Sequence, residues 1–311
     1  MAEVAIIIGN GFDLDLGLPS RYSDFMNSQE FKKIYHVSRS SFRVEENSLL
    51  DYLLKLSFES NWFDMETAIH DFVAMEHVYS QVELDLVKSE FRQLRTALCN
   101  YLTRVSSTFK ANDNRLAFKF MVGMKQCPLT YTTIIFNYTN PALLIKPIPV
   151  YPQSTSWFTF VHGNLSDKDI VLGCDIQPNE QVNRQLSFMY KYNMLKNANH
   201  VARNLLEAKE VIFWGHSVNE MDFCYFREFF KQASASPKPI RHITFITFDE
   251  NSERNIKDNI RNQGINVTDL YNNLWTFKFI HTKKLYEEDK EEMNNWNEMF
   301  ARLLAKDRNG I

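Results

Sequence analysis

Residues 4–25 read VAIIIGNGFDLDLGLPSRYSDF, an apolar run that ends in two closely spaced glycines and a polar turn. The apolar residues 4–8 are typical of a buried parallel strand, because both faces of such a strand are covered. Gly9 and Gly11 would allow backbone N–H groups to approach a ligand, as in the turns that hold phosphates between a strand and a helix. The stretch therefore predicts a strand followed by a nucleotide-binding loop. The other loop residues assigned to this site are Asn10, Phe12 and Asp13.

The spacing of the loop differs from the dinucleotide fingerprint G-x-G-x-x-G. Leu14 stands where the third glycine would be, and no strand ending in an acidic ribose ligand follows about twenty residues later. A dehydrogenase that transfers hydride is therefore disfavoured. The plain alternative is a tight turn with no ligand. If a phosphate does bind here, Gly11→Val is expected to abolish binding and leave the fold largely intact.

Several later apolar runs also end in polar residues. Strands are expected at 132–136, 157–161, 211–214, 243–248 and 276–280. The first four are followed by Asn137, by His162, by Gly215 with Ser217, and by Asp249. Because ligands bind beyond the carboxyl ends of parallel strands, these residues are expected on the same edge as the glycine loop.

Each of these residues also has an ordinary structural role open to it. Asn137 could be a turn residue before a helix, His162 a structural histidine, and Asp249 an N-cap. Asp13 could orient a ribose hydroxyl or cap a helix. We favour chemistry for Asn137 and His162, since histidine titrates near neutral pH and Gly163 would leave room for a ligand beside it.

The rest of the chain indicates one α/β domain over residues 1–311. Its expected fold is a Rossmann-like parallel sheet flanked by helices. Helical spacing predicts an inserted helical lobe at 30–125, a long helix within 182–208 and an amphipathic C-terminal helix at 285–308. A short strand is expected at 170–173, and a proline-rich connector occupies 146–152.

Composition excludes several classes of protein. A net charge of −3 disfavours nucleic acid as a partner, and no apolar segment is long enough for a membrane span or has the form of a signal peptide. We therefore expect a cytoplasmic protein. The four cysteines have no metal-ligand spacing, and the Glu66/His70 pair lacks a third ligand, so no metal is expected.

The motifs together resemble a known family. Residues 9–25 (GNGFDLDLGLPSRYSDF), 61–66 (NWFDME), 136–139 (FNYT), 161–163 (VHG) and 215–217 (GHS) with Asp222 look like the AbiH family of bacterial abortive-infection proteins. Through its glycine loop, its Asn-Tyr and its His-Gly, that family is similar to the sirtuin-like NAD-binding fold of antiphage effectors. The chain departs from deacylating sirtuins in lacking a four-cysteine zinc module.

The resemblance implies NAD as substrate, with no further cofactor, and cleavage of the nicotinamide N-glycosidic bond. Backbone groups of residues 9–12 would hold the pyrophosphate, Asn137 would orient water or ribose, and His162 would act as base. The main alternative is a module that senses NAD or ADP-ribose without turnover. A structural role would be favoured if Phe12 and Leu14 blocked the loop. A serine hydrolase at Ser217 is disfavoured because a second flanking glycine is missing. A second copy of the chain and a companion defence protein are left open as partners.

Overall fold

The computed structural model describes residues 2–41, 48–59, 64–145, 157–176, 180–194, 201–235 and 241–305. These residues form two compact units. The sheet unit comprises Met1–Gly17, Lys110–Val161 and Asn197–Ile311, and the helical unit comprises Leu18–Phe109 and His162–Lys196. Residues 61–63 of the NWFDME motif and the expected proline-rich connector lie outside the described residues.

The described strands are β1 (Val4–Ile8), β2 (Tyr131–Ile135), β3 (Trp157–Phe160), β4 (Gly163–Asn164), β5 (Asp169–Ile170), β6 (Glu210–Trp214), β7 (His242–Thr247) and β8 (Thr276–His281). Six of them form one parallel sheet in the order β3-β2-β1-β6-β7-β8. Counted along the chain, this order is 3-2-1-4-5-6, as in doubly wound dinucleotide-binding folds. The predicted α/β class with a parallel sheet is confirmed.

The described helices are α1 (Asn10–Leu16), α2 (Tyr22–Met26), α3 (Gln29–Ser41), α4 (Leu49–Glu59), α5 (Met65–Ala74), α6 (Gln81–Thr108), α7 (Leu116–Lys125), α8 (Pro141–Leu144), α9 (Val201–Glu207), α10 (Arg227–Ala235), α11 (Glu250–Asn262), α12 (Val267–Asn273), α13 (Thr282–Tyr286) and α14 (Lys290–Leu304). Helices α2–α6 belong to the helical unit, and the other described helices belong to the sheet unit. No helix in the described part of the chain has the length and apolar character needed to cross a membrane.

Aromatic side chains fill the core of the sheet unit. Phe213, Phe245 and Phe279 occupy paired positions on β6, β7 and β8, and their rings stack with centroids 4.5 and 4.9 Å apart. On α1, directly after β1, Phe12 packs edge-on against Trp214 of β6, with ring centroids 5.6 Å apart. Such ring pairs stabilise the core beyond the burial of their apolar surface, because ring edges and faces carry opposite partial charges. Phe12 is fully buried in this core.

Buried charges and capping side chains organise the helical unit. Glu90 on α6 accepts hydrogen bonds from Ser38 on α3, from Ser48 and from the backbone N–H of Leu49, which joins three helices. Glu66 forms a buried ion pair with Lys191 at 2.7 Å, whereas His70 contacts Glu180. Glu66 and His70 therefore have separate partners.

The predicted long helix within 182–208 is wrong. The described residues form 3₁₀ turns at Arg184–Met189 and Lys191–Asn193, and helix α9 covers Val201–Glu207. Asn183 caps the first turn, and the backbone N–H of Lys191 donates to Cys174 instead of continuing a helix. Polar side chains at helical spacing therefore do not indicate a continuous helix in this segment. The short strand expected at 170–173 corresponds to β5, which covers only Asp169–Ile170.

Candidate functional site

The chain order of the sheet reverses between β1 and β6. In open parallel sheets, this switch point opens a crevice at the carboxyl ends of the strands. Three chain segments meet there in the sheet unit, after β1, β2 and β6. We call their polar and glycine residues the switch-point site: Gly9, Gly11, Asp13, Asn137, Thr139, Gly215 and His216.

The two glycine loops of the switch-point site touch each other through their backbones. The N–H of Gly9 donates to the carbonyl of Trp214, and the N–H of Gly11 donates to Gly215, each at 2.9 Å. A Cβ atom on Gly9 would lie 2.6 Å from the Gly215 oxygen, and one on Gly11 would lie 2.6 Å from the Gly215 Cα. The loops thus need glycine because neighbouring backbones leave no room for a side chain.

This packing differs from the predicted phosphate loop. The N–H groups of Gly9, Gly11 and Phe12 all donate to carbonyls of the chain itself, the last to Gly9 at 3.0 Å. These three N–H groups are thus satisfied within the protein, those of Gly9 and Gly11 by the end of β6 and the residue that follows it. The added side chain of Gly11→Val would clash with the Gly215 backbone, so this substitution is expected to disturb the fold as well as any binding. Gly215 has φ of +61°, a left-handed conformation that favours glycine.

Asp13 lies at the centre of a buried polar group. Its Oδ2 accepts a hydrogen bond of 2.5 Å from the Thr139 hydroxyl, while Asn137 donates from Nδ2 to the Gly9 carbonyl at 3.1 Å. The N-cap position of α1 is Gly9, so Asp13 does not cap its own helix. Burial raises the pKa of Asp13 to about 7, against the lowering effects of hydrogen bonds from Thr139 and Asn137. The site thus holds a carboxyl group that titrates near neutral pH.

His216 is a second buried polar residue of the site. Its Nδ1 accepts a hydrogen bond from the backbone N–H of Val218 at 2.9 Å, which leaves the proton on Nε2, 3.6 Å from Asp222 Oδ2. The ring packs edge-on against Phe136, with centroids 4.3 Å apart. Val218 has φ of +50°, a strained conformation for a β-branched residue. His216 holds this strained loop beside the Gly9–Gly11 turn.

The sequence patterns assigned no role to His216, although it stands within the GHS motif. The available signal was an acidic residue six positions after a histidine that follows a strand. Thr139 was also missed. It stands two residues after Asn137, and only the pairing of β1 with β2 brings it to Asp13.

The remaining predicted nucleotide ligands lie at the surface or serve the local fold. Asn10 and Ser217 are exposed, and the carbonyl of Ser217 accepts from Asn259 at 3.0 Å. Asp249 accepts the Ser252 N–H at 2.9 Å as the N-cap of α11, and this hydrogen bond lowers its pKa. For Asp249, the structure shows the N-cap arrangement that the sequence left open.

His162 is the first residue of a segment that belongs to the helical unit. Its side chain is 3% exposed, and its carbonyl accepts the Val171 N–H at 2.7 Å. The next residue, Gly163, begins the antiparallel pair β4–β5 with φ of +75°, and a Cβ atom there would lie 1.8 Å from the Asp169 carbonyl. Gly163 thus permits a tight hairpin, and the ligand space expected beside His162 is filled by Asp169 backbone.

Three further features were compared with the switch-point site: a cleft, possible metal ligands and the cysteines. A cleft of about 550 Å³ in the helical unit is lined by residues 74–78 and 181–185, none of them a predicted site residue. Among the described residues, no three histidine, cysteine or acidic side chains are grouped as metal ligands. Cys99, Cys127 and Cys174 are buried free thiols, and Cys224 is exposed.

The fold and site define a doubly wound α/β protein with a polar site at its switch point. Residues 5–243, more than three quarters of the chain, match the family described as "Bacteriophage abortive infection AbiH". The chain belongs to this family, and the resemblance noted in its motifs is confirmed. The family's described role is phage defence by abortive infection. A search of curated proteins finds no significant match.

Proposed function

We propose that this chain is an abortive-infection effector that binds NAD at the switch-point site and hydrolyses its nicotinamide N-glycosidic bond. The observation that supports the proposal best is the strand order. Sheets of this order bind dinucleotides at their switch point. In this chain, two glycine-bearing loops meet at that point. The choice of NAD and of hydrolysis rests on the sirtuin-like character of the motifs.

The residues can be assigned roles that respect the hydrogen bonds of the site. Because the N–H groups of Gly9, Gly11 and Phe12 are already bonded, pyrophosphate contacts fall to the exposed Asn10 and Ser217. Asn137 orients water or the ribose. His162 removes a proton from water as its oxygen bonds to C1′ of the ribose, and nicotinamide leaves with the electrons of the broken C–N bond.

A second function, nucleotide sensing without turnover, is favoured by a separate observation. Asn137 and His162 are only 7% and 3% exposed, and the Asn137 amide is bonded to Gly9. A sensor needs only surface residues that bind ADP-ribose or NAD, whereas an enzyme needs the side chains of Asn137 and His162 to reach the substrate. Binding without nicotinamide release would support the sensor.

The deciding experiment incubates purified protein with NAD and separates nicotinamide and ADP-ribose by chromatography. Parallel cultures are infected with phage and their NAD content measured, because an effector held inactive would act only after infection. We expect His162→Ala and Asn137→Ala each to lower nicotinamide release by about 10²–10⁴. His77→Ala, at a histidine lining the cleft of the helical unit, is the control and should match the parent.

Melting temperature and ADP-ribose affinity are measured on every variant. Both target residues are buried, so some loss of stability is expected, and loss of cleavage counts only for a variant that still folds and binds ADP-ribose. Full cleavage by folded His162→Ala would contradict its role as base. A parent that binds no nucleotide and leaves cellular NAD unchanged after infection would contradict the proposed function.

A further inference from the structure

The loop after β6 is held by both polar atoms of one peptide group. The carbonyl of Ser217 accepts a hydrogen bond from Asn259 Nδ2 at 3.0 Å, and the N–H of Val218 donates to His216 Nδ1 at 2.9 Å. Asn259 lies on α11, whereas His216 belongs to the loop itself. Because the two backbone atoms share one peptide plane, the two side chains fix the orientation of that plane.

Val218 has a backbone conformation that valine rarely adopts. Its φ of +50° lies in the left-handed region, where a branched side chain is crowded by the backbone. Its side chain is fully buried within the sheet unit. A strained conformation of this kind persists only where surrounding contacts hold it. The bond to His216 is such a contact, and without it the peptide between Ser217 and Val218 would be free to rotate.

The ring of His216 is committed to this contact. Nδ1 uses its lone pair for the Val218 N–H, so the proton is on Nε2, which lies 3.6 Å from Asp222 Oδ2. The side chain is 5% exposed and packs edge-on against Phe136 and Phe226, with ring centroids 4.3 and 5.1 Å apart. A general base needs a lone pair within reach of the proton that it removes. His216 is therefore placed as an acceptor for the loop and not as a base.

Ser217 is the exposed residue between two buried neighbours, His216 and Val218. It follows β6 at the carboxyl edge of the parallel sheet. A serine hydroxyl can donate a hydrogen bond to a charged phosphate oxygen. Such a donor contributes most to affinity when its position is fixed before the ligand arrives, because less ordering is then needed on binding. The bonded peptide beside Ser217 provides this fixed position.

We propose that His216 is the positioning residue of the loop after β6: its Nδ1 holds the peptide that follows Ser217, and the Ser217 hydroxyl is thereby directed to a phosphate group of a nucleotide. The inference rests on the proposed function, in which Ser217 contacts the pyrophosphate. His216 acts through Ser217 and touches no substrate.

The test compares two substitutions that each keep one end of the imidazole. In His216→Asn, the amide oxygen takes the place of Nδ1 and can accept the N–H two residues later, as in an Asx turn. In His216→Gln, the amide takes the place of Nε2, and the acceptor for Val218 is lost. Affinity for ADP-ribose is measured by calorimetry. We expect His216→Asn to bind like the parent and His216→Gln to bind about tenfold or more weakly.

A double-mutant cycle with Ser217→Ala separates positioning from general damage to the fold. Ser217→Ala should itself weaken binding by about tenfold or more, because it removes a hydrogen bond to a charged group. If His216 acts through Ser217, His216→Gln should add little in the Ser217→Ala background, whereas independent effects would multiply. Amide hydrogen exchange of Val218, followed by NMR, should be faster in His216→Gln than in the parent and in His216→Asn.

Folded His216→Gln that binds ADP-ribose like the parent would overturn the inference, and so would losses that multiply in the double variant. If His216→Gln does not fold, His216→Asn decides: weak binding despite a protected Val218 amide would overturn the inference. A parent that binds ADP-ribose with the expected dependences but releases no nicotinamide would support the inference and overturn the proposed hydrolysis. A parent that binds no ADP-ribose would overturn both, and exchange at Val218 would then report a purely structural contact.

Discussion

Ionisation of Asp13 is expected to destabilise the sheet unit that contains it. Its ordinary pKa is 3.8, and burial raises it to about 7. A tenfold change in proton affinity between the folded and unfolded chain corresponds to about 1.4 kcal/mol, so the ionised group costs the fold about 4 kcal/mol above pH 7. Proteins keep such groups mainly at functional sites, where stability is exchanged for chemistry.

Asp13→Asn is therefore expected to raise the free energy of unfolding at pH 8 by up to about 4 kcal/mol. The folded pKa lies above the unfolded value, so the parent loses stability as pH rises from about 4 through about 7, and the gain should be smaller at pH 5. Urea unfolding at both pH values measures it. Asp258→Asn, at an exposed ion pair with Arg261, is the control. An Asp13→Asn variant that is less stable at pH 8 would show that hydrogen bonds to the carboxylate outweigh its burial.

Gly11→Val is expected to lower stability strongly, because its Cβ would stand 2.6 Å from the Gly215 Cα in a backbone-to-backbone contact. Gly264→Ala is the comparison, since it has positive φ but no atom within 4 Å of an added Cβ. Thermal melting should show a much greater decrease for Gly11→Val. Equal decreases would mean that the loop after β6 can move aside. Loss of nucleotide binding in Gly11→Val would therefore not identify a phosphate contact.

At the scale of elements, one histidine joins three secondary structures of the sheet unit. His281, at the end of β8, contacts Glu292 of α14 through Nδ1 at 2.5 Å and Glu253 of α11 through Nε2 at 2.8 Å. His281 and Glu292 are buried, and Lys257 also contacts Glu253. The C-terminal helix is thus held by a specific polar contact as well as by its apolar residues Met299 and Leu303.

His281→Phe should lower the free energy of unfolding by about 3–5 kcal/mol, because it leaves the buried Glu292 carboxylate without its partner. Lys278→Ala removes a partly exposed contact between β8 and α14, with Glu298, and should cost less than about 1 kcal/mol. Chemical unfolding of the two variants compares them directly. A loss for His281→Phe no larger than for Lys278→Ala would show that α14 is held by apolar packing alone.

Elements were predictable where one residue pattern decides them. The apolar run 4–8 and the β-branched run near 132–136 both form strands, and Asn137 contacts Gly9 as their shared edge predicted. The bond between Thr139 and Asp13 was not predictable, because it joins residues 126 positions apart that come together only through strand pairing. Periodicity describes one element at a time and does not encode such contacts.

At the scale of the whole molecule, the family match ends at residue 243, inside β7. The strand β8 and the helices α11–α14 lie beyond it, yet β8 completes the stacked aromatic rings of β6 and β7. The composition and the N-terminal motif predicted the α/β class, whereas the strand order depended on which distant strands pair with β1.

The central position of β1 also determines when the site can first exist during synthesis. Its neighbours are β2, from residue 131, and β6, from residue 210. At roughly 5–20 residues per second, the ribosome needs roughly 10–40 s after β1 to make β6. Throughout that interval the apolar strand lacks a partner on one side and is a target for chaperones. Ribosome-bound chains that stop before residue 210 should therefore leave residues 4–8 open to protease, whereas chains with β6 outside the exit tunnel should protect them. A nascent or prematurely terminated chain would then carry the glycine loop but no assembled site, and binding there would begin only after β6 has been made.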